Sequence, residues 1–229
     1  MRRSAPFGCV ALGVLLLALV LFPLFLAHVM LAAMQKLGLT PGSALLAVMG
    51  LFLGGMINIP IKKIERGEQV EVVPVQLFGV GRFFPRFVKR RTYTIIAVNV
   101  GGCLVPTGIA LYELVRVAAQ TGGGGLGLAL VAVGINSVVC YWTSRPVKNV
   151  GIAMQPFIPA LVAAFCGIMM LPEFAPPVAF AAGVLGPLIG ADLMRLGQIQ
   201  KISTGVASIG GAGTFDGIVL SGLVATLLA

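Results

Sequence analysis

The stretch from Pro177 to Leu196 reads PVAFAAGVLGPLIGADLMRL, and it decides the fold class of this chain. Its residues are apolar or small except for Asp192 and Arg195. A helix of about 20 residues is long enough to cross the roughly 30 Å hydrocarbon core of a bilayer. A surface helix of a soluble protein would instead carry polar residues along one whole face. The stretch therefore predicts a membrane-spanning helix.

Six further apolar stretches could also cross a membrane. They run from about 7 to 34, 42 to 61, 93 to 117, 123 to 142, 157 to 171 and 205 to 229. The chain is 58% hydrophobic and 10% charged, with a mean hydropathy of +1.04, which is outside the range of an ordinary soluble domain. We predict an all-α fold, a polytopic transmembrane helical bundle of about seven spans that forms one domain over residues 1–229.

The positive charges indicate an orientation for this bundle. A net charge of +9 would suggest nucleic acid in a soluble protein, but in a membrane protein basic residues collect on the cytoplasmic side. With a cytoplasmic amino terminus and seven spans, all of the 16 Lys and Arg except Lys36 and Arg116 fall on that side. We expect an inner (plasma) membrane protein with an external carboxyl terminus, the lipid bilayer as partner, and no nucleic-acid partner.

The longest polar stretch, residues 62–91, is expected to be a cytoplasmic basic loop. Its second half, Phe78 to Arg91, mixes aromatic and cationic residues and could rest on anionic lipid headgroups. Its first half contains Gln69 to Val75, whose partial alternation predicts a short strand or hairpin with an edge position at Pro74.

Metal and cofactor chemistry is not expected. The four cysteines lie in apolar runs without paired spacing, and the sole histidine, His28, lies in the first span with no second ligand type nearby. A serine hydrolase is disfavoured as well, because the chain has no Gly-x-Ser-x-Gly turn and no histidine partner in a later span.

The only two aspartates, Asp192 and Asp216, fall in the last two apolar stretches. A carboxylate at membrane depth costs roughly 2.5 to 3.5 kcal/mol on insertion scales, so such a residue indicates function. Helix geometry places Asp192 about 6 Å and Asp216 about 10 Å inside the cytoplasmic boundary, provided that residues 205–213 are not helical. Gly210-Gly211-Ala212-Gly213 favours such an irregular segment, which would line a water-accessible pocket.

Two carboxyl groups at close range cannot both ionise. One keeps its proton and can act as an acid, while the other is ionised and can activate a water molecule. The pair therefore predicts aspartyl hydrolase chemistry, with Asp192 and Asp216 as the catalytic residues.

The segment Gly211-Ala212-Gly213-Thr214-Phe215-Asp216 resembles the Gly-x-Gly-Asp signature of intramembrane aspartyl proteases such as presenilin, signal peptide peptidase and prepilin peptidase, with Thr214 and Phe215 inserted. In presenilin-like proteases the paired aspartates occupy the sixth and seventh spans, as Asp192 and Asp216 do in the predicted topology. The resemblance implies cleavage of membrane-embedded peptides, with Gly211, Gly213, Thr214 and Phe215 binding the substrate. Asp192 lacks the tyrosine that usually precedes the first aspartate.

A closer resemblance covers most of the chain from about Ala44 to Ala229. Asn58-Ile59-Pro60, Asn99-Val100-Gly101-Gly102 and the segment from Ile209 to Gly217 are similar to motifs of an uncharacterised family of prokaryotic multi-pass membrane proteins, a domain of unknown function. This resemblance implies the fold and no activity.

Two alternatives to a protease stay open. The aspartates could relay protons or cations in a transporter or channel, together with Asn58, Asn99 and Asn136. Alternatively, Asp216 caps the last helix and Asp192 pairs with Arg195 in a non-catalytic scaffold.

Two local features of the third span are also predicted. Glu113 and Arg116, three residues apart, should form an ion pair on the helix surface, and Pro106 should kink the helix.

Overall fold

The computed structural model describes residues 7–75, 84–147, 151–198 and 205–229. Within these ranges the fold is mostly helical and includes a small sheet. The helices are α1 (Phe7–Lys36), α2 (Pro41–Gly54), α3 (Val105–Thr143), α4 (Phe157–Met170), α5 (Ala175–Pro187) and α6 (Gly217–Leu228). A π-helical turn at Val100–Leu104 precedes α3, and a second one at Leu188–Leu193 continues α5.

The membrane character predicted from the sequence is confirmed. Among the described residues, three helical stretches are long and apolar enough to cross a bilayer, namely Ala11–Lys36, Val100–Thr143 and Pro172–Gln198. Helices α2, α4 and α6 are apolar but shorter, with 14, 14 and 12 residues. The side chains of α1 from Leu12 to Phe25 are largely exposed, as expected of a surface that faces lipid.

Helix α3 consists of two arms that meet at Gly122. This glycine has φ 71° and ψ −165°, which no helical residue adopts, so the backbone changes direction there. The break lies at the first residue of a run of four glycines at 122–125, between the apolar stretches at 93–117 and 123–142. Pro106 lies in the first turn of α3, where a missing N–H costs no hydrogen bond. The irregular backbone near it is the π-helical turn before α3.

The fold departs from a purely helical bundle through a three-stranded sheet in the order β1-β2-β5. Strand β1 (Asn58–Val75) pairs antiparallel with β2 (Phe84–Asn99), from Asn58 opposite Asn99 to Val75 opposite Phe84. Strand β5 (Gly205–Ile209) runs parallel to β2. A separate hairpin, β3 (Arg145–Val147) with β4 (Gly151–Ala153), joins α3 to α4.

The sheet corrects two predicted boundaries. The apolar stretches at 42–61 and 93–117 were expected to be helical throughout, but residues 58–61 and 93–99 are strands. The residues Thr94, Ile95, Ile96 and Val98 are β-branched and stiff at χ1, which favours strands, and an apolar run by itself cannot distinguish a buried strand from a helix. The predicted strand or hairpin at Gln69 to Val75 is part of this longer β1–β2 ladder.

The predicted basic loop at 62–91 therefore falls largely in β1 and β2. Its residues 76–83 lie outside the described part of the chain, and with them much of the segment expected to meet anionic headgroups.

Helix α5 is the centre of the molecule. Every residue of α5 except Pro176 is buried. Its glycines allow close packing: a Cβ added to Gly183 would lie 2.9 Å from the Gly222 Cα of α6, and one added to Gly186 would lie 2.6 Å from the Asn136 side chain of α3. Small residues at helix contacts are the usual means of packing helices tightly in lipid. This packing fixes the end of α5, which carries Asp192.

Candidate functional site

Asp216 lies at the end of a tight loop that we call the glycine loop, residues 210–216. The residue is half-buried, has extended backbone and caps the start of α6. Its Oδ1 accepts a hydrogen bond from the Ile218 N–H at 3.0 Å, and its Oδ2 accepts one from the Ala212 N–H at 3.4 Å. The capping role foreseen for Asp216 is confirmed, and the carboxylate also binds the loop that precedes it.

Asp192 reaches the same loop from the other side. It lies in the π-helical turn after α5, is half-buried, and lies near the Gly210 backbone N–H. Asp192 and Asp216 lie close enough for their charges to interact. Cys103 lies close enough to both for its thiol to be affected by the two charges. The structure therefore brings the two aspartates to one region, although they are carried by different helices.

The glycine loop has the non-helical backbone expected from its composition. Strand β5 ends at Ile209, Gly210 and Gly213 have φ of 69° and 60°, and a short 3₁₀ turn leads into α6. These two positive φ values favour glycine over any L-residue with a side chain. The loop can therefore fold back on itself between β5 and α6, which carries Asp216 towards Asp192.

Two further glycine pairs hold the loop from outside. A Cβ on Gly102 would lie 2.0 Å from the Gly210 carbonyl oxygen, so these two backbones are in direct contact. A Cβ on Gly213 would lie 3.1 Å from the Gly55 Cα. The pairs Gly54-Gly55, at the end of α2, and Gly101-Gly102, in the first π-helical turn, thus form a cradle of bare backbone around the loop.

The residues predicted to bind substrate are placed differently from one another. Gly213 and Thr214 are buried within the protein, whereas Gly211 is exposed. The side chain of Phe215 lies outside what the structure describes. Gly211 therefore presents its backbone to the surroundings, while Gly213 contacts the protein's own α2 end.

Asn99 joins the segments of this cradle. Its buried side chain donates from Nδ2 to the Gly55 carbonyl at 2.8 Å and to Asn58 Oδ1 at 3.1 Å, and its Oδ1 accepts the Gly102 N–H at 2.7 Å. Asn58 Oδ1 also accepts the Ser208 hydroxyl at 2.6 Å. One amide thus connects α2, β1 and the first π-helical turn, and a second connects β1 to β5.

Sequence reasoning assigned Asn58 and Asn99 only to a relay, and it missed Ser208 and Gly55 altogether. The available signal was the pairing of an asparagine with a Gly-Gly dipeptide in Asn99-Val100-Gly101-Gly102, beside a second Gly-Gly dipeptide at 54–55. Asn136, the third residue of that relay, instead donates to the Ala182 carbonyl at 2.8 Å and joins α3 to α5.

The predicted pair of Asp192 with Arg195 is wrong, because Arg195 directs its donors to other residues. It donates to Ser144 Oγ at 2.8 Å, to the Tyr141 carbonyl at 2.5 Å and to Gln198 Oε1 at 2.9 Å. Its guanidinium also lies 4.5 Å from the centroid of the Tyr141 ring. These contacts anchor the end of the α5 segment to the end of α3.

The ion pair of Glu113 and Arg116 is confirmed, with 3.1 Å between Arg116 Nη1 and Glu113 Oε2, but its predicted surface location is wrong. The Glu113 side chain is fully buried, and Arg116 also donates to the Leu37 carbonyl. In the connection between α1 and α2, Leu37 and Gly38 contact Arg116. An arginine with a bonded carboxylate and carbonyl can be accommodated in an apolar interior.

Long apolar helices, a small sheet and two aspartates close to one glycine loop define the class of this protein as a mostly helical membrane protein. More particularly, the chain belongs to the family described as "Protein of unknown function (DUF1614)", which matches residues 52–228. The resemblance to an uncharacterised family is thereby confirmed, and the matched region contains both aspartates and the whole cradle. No curated protein and no solved structure matches the chain.

Proposed function

We propose that this protein is an intramembrane aspartyl endopeptidase in which Asp192 and Asp216 form the catalytic pair. One observation carries the proposal. The only two aspartates of the chain come from different helical elements, yet both lie at one glycine loop, close enough for their charges to interact. Burying a carboxylate at membrane depth costs free energy, and placing a second one beside it adds repulsion between like charges. A purely structural role for both aspartates would therefore be energetically unfavourable.

The proposed chemistry needs one ionised and one protonated carboxyl. The ionised group would take a proton from a water molecule, whose oxygen attacks the peptide carbonyl carbon. The protonated group would give its proton to the carbonyl oxygen, which yields a tetrahedral diol. Transfer of a proton to the amide nitrogen and cleavage of the C–N bond would then release an amine and a carboxylic acid. No metal or cofactor takes part in this sequence.

The hydrogen bonds of the glycine loop support distinct roles for the two groups. Asp216 accepts hydrogen bonds from two backbone N–H groups, those of Ala212 and Ile218, and such bonds favour an ionised carboxylate. We therefore assign Asp216 as the base and Asp192 as the acid in the first step.

Strand β5 offers a means of placing a substrate. Among the described strands it pairs only with β2, and its residue Val206 is 62% exposed. An extended peptide can add to a strand edge through main-chain hydrogen bonds. Because β5 runs directly into Gly210, a peptide on that edge would extend past Gly211 towards the two carboxyls. The substrate class is a transmembrane peptide that unwinds locally at this depth.

The finer topology belongs to the same proposal. Seven spans, a cytoplasmic amino terminus, an external carboxyl terminus and an inner-membrane location are supported by the distribution of Lys and Arg along the sequence. The basic segment at 62–91 would then lie against anionic headgroups on the cytoplasmic side.

The experiment compares cleavage by four purified forms reconstituted in lipid nanodiscs: wild type, Asp192→Asn, Asp216→Asn and Glu173→Gln. Glu173 is an exposed carboxylate in the turn before α5 and serves as the matched control. With single-span model peptides, we expect cleavage by wild type and Glu173→Gln, inhibition by an aspartyl transition-state analogue, and at least about 10²-fold slower cleavage by either aspartate variant. Cleavage that survives both substitutions would refute the proposal, as would its absence in wild type across a peptide panel.

A second candidate is a proton or cation relay in a transporter or channel. It is favoured by the polar group of Asn58, Asn99 and Ser208, which lies against the same glycine loop between apolar helices. Proteoliposomes that carry the four forms distinguish the two functions. Proton or sodium flux that either aspartate substitution abolishes, without peptide cleavage, would favour the relay. If neither activity is found, the aspartates serve a non-catalytic scaffold.

A further inference from the structure

A cavity of about 610 Å³ lies between the end of α3, the β3–β4 hairpin and the start of α4. We call it the interfacial pocket. Such a volume is within the range of about 300 to 1,000 Å³ that is typical of small-molecule sites. Its wall includes Trp142, Arg145, Val147, Met154, Gln155 and Ile158.

The position of the pocket along the membrane normal follows from helix geometry. The second arm of α3 runs from the break at Gly122 to Thr143, which at 1.5 Å per residue is about 30 Å, the thickness of the hydrocarbon core. Trp142, at the end of this arm, is 76% exposed. Exposed tryptophans at the ends of spanning helices are typical of the headgroup level of a bilayer. The hairpin after it therefore lies where phosphate groups are found.

Arg145 provides an unused cation at this level. The two other arginines whose contacts the structure describes in detail, Arg116 and Arg195, direct their donors to protein carboxylate, carbonyl, hydroxyl and amide oxygens. The Arg145 side chain is exposed and makes no hydrogen bond or ion pair with any residue in the described ranges. A guanidinium presents paired N–H donors whose spacing matches two phosphate oxygens. The donors of Arg145 are therefore available for a phosphate group.

The remaining walls are suited to the rest of a phospholipid. Gln155 is exposed and adds an amide donor, while Val147 and Ile158 are exposed apolar side chains, at 38% and 40%. The Trp142 ring adds an amphipathic surface. A cation, an amide, two aliphatic side chains and an indole fit a ligand that is charged at one end and apolar at the other.

We propose that the interfacial pocket binds the phosphate group of an anionic phospholipid, with Arg145 as the principal phosphate ligand. The proposal does not depend on the peptidase function. It does place the lipid close to the glycine loop, because the Met154 methyl lines the side towards α6, where a Cβ on Gly217 would lie 3.1 Å from it. Gly217 directly follows Asp216, so one side chain separates the bound lipid from the end of the glycine loop.

Trp142 allows a direct test because it is the only tryptophan of the chain. The protein is reconstituted in nanodiscs of zwitterionic phosphatidylcholine that contain a small fraction of lipid with brominated acyl chains, which quenches nearby indoles. The brominated lipid is either phosphatidylglycerol or phosphatidylcholine at the same mole fraction. We expect the anionic lipid to reach half-maximal quenching of Trp142 fluorescence at about fivefold lower mole fraction, since one cation near the surface attracts anionic lipid by about that factor.

Two variants and a soluble competitor complete the test. Arg145→Gln should remove the preference for the anionic lipid, whereas Lys36→Gln, which removes the same charge from the end of α1, should leave it unchanged. Arg145→Lys should retain part of it, which would show that charge contributes in addition to the paired donors. Glycerol phosphate added in solution should not abolish the preference.

Equal quenching by the two brominated lipids in wild type would overturn the proposal. A preference that persists in Arg145→Gln would overturn the assignment of Arg145. Loss of the preference on addition of millimolar glycerol phosphate would show that the site takes soluble phosphate esters, and the lipid would then not be its ligand. The emission spectrum of each variant, compared with that of wild type, verifies that Trp142 stays at the same depth.

Discussion

The contact between Gly102 and Gly210 should be the most sensitive point of the cradle. Substituting Gly102→Ala would place the new Cβ 2.0 Å from the Gly210 carbonyl oxygen and 3.1 Å from the Gly213 Cα. An ordinary carbon–oxygen contact is longer than 3 Å, so the two backbones would have to separate by more than about 1 Å. Neither partner is a flexible side chain end, so the strain cannot be relieved by a rotamer change.

Overpacking of this kind typically costs about 1 to 3 kcal/mol. Movement of Gly102 would also strain the hydrogen bond from its N–H to Asn99 Oδ1, in which nitrogen and oxygen are 2.7 Å apart. Loss of a hydrogen bond to a buried group adds about 1 kcal/mol or more to the destabilisation. We therefore expect Gly102→Ala to lower the free energy of unfolding by about 2 to 4 kcal/mol. If the protein remains folded, displacement of Gly210 should also disturb the glycine loop near Asp192 and reduce any peptidase activity.

The assay is reversible unfolding in mixed micelles of increasing sodium dodecyl sulfate content, followed by helical circular dichroism. The matched control is Gly108→Ala, an exposed position in α3 where an added Cβ has no heavy atom within 4 Å. Alanine is preferred to glycine in helices, so this control should be neutral or stabilising by up to about 1 kcal/mol. Equal stabilities of the two variants would refute the close contact of the cradle with the glycine loop.

Three further sets of substitutions test the remaining polar contacts by the same unfolding measurement. Asn99→Ala would leave the Gly55 carbonyl and the Gly102 N–H without their partner, so we expect a loss of about 2 to 4 kcal/mol, and a loss below about 0.5 kcal/mol would contradict the central role of Asn99. Asp216→Asn keeps an oxygen for the Ile218 N–H and loses only the longer bond to Ala212, so it should cost less than Asp216→Ala, which should cost about 0.5 to 2 kcal/mol. Equal losses would show that the cap to Ile218 does not contribute to stability. Glu113→Ala and Arg116→Ala should each lower the free energy of unfolding by about 3 to 5 kcal/mol, because each leaves a charge without its partner. The double variant should lose much less than the sum of the two single variants. Strictly additive losses would contradict a direct ion pair.

The apolar character of this chain could be predicted from sequence because it depends on composition and on the length of apolar runs. The helices of 93–117 and 42–61 could not be bounded correctly, since a run of isoleucine, valine and alanine is compatible with a buried strand as well as with a helix. The strands that replace helix there, β1 from Asn58 and β2 up to Asn99, are fixed by their pairing with each other, which is a tertiary interaction.

The candidate site shows the same division. The cost of charge in lipid predicted Asp192 and Asp216 as functional residues. The glycines at 210, 211 and 213 predicted the irregular backbone. The role of Gly102 could not be predicted, because it depends on a contact with Gly210 that no local pattern encodes. Nor could the burial of Glu113, which depends on how other elements pack against α3.

The central claim is that Asp192 and Asp216 belong to one coupled site, and the chain offers a selective way to test it. Because these are its only aspartates, growth with aspartate labelled with ¹³C at the carboxyl carbon marks just two titrating groups. Their carboxyl ¹³C shifts, followed against pH in nanodiscs, should show two interacting ionisation steps, and Asp216→Asn should change how Asp192 titrates. Two independent titrations, with that of Asp192 unchanged by the substitution, would contradict the account.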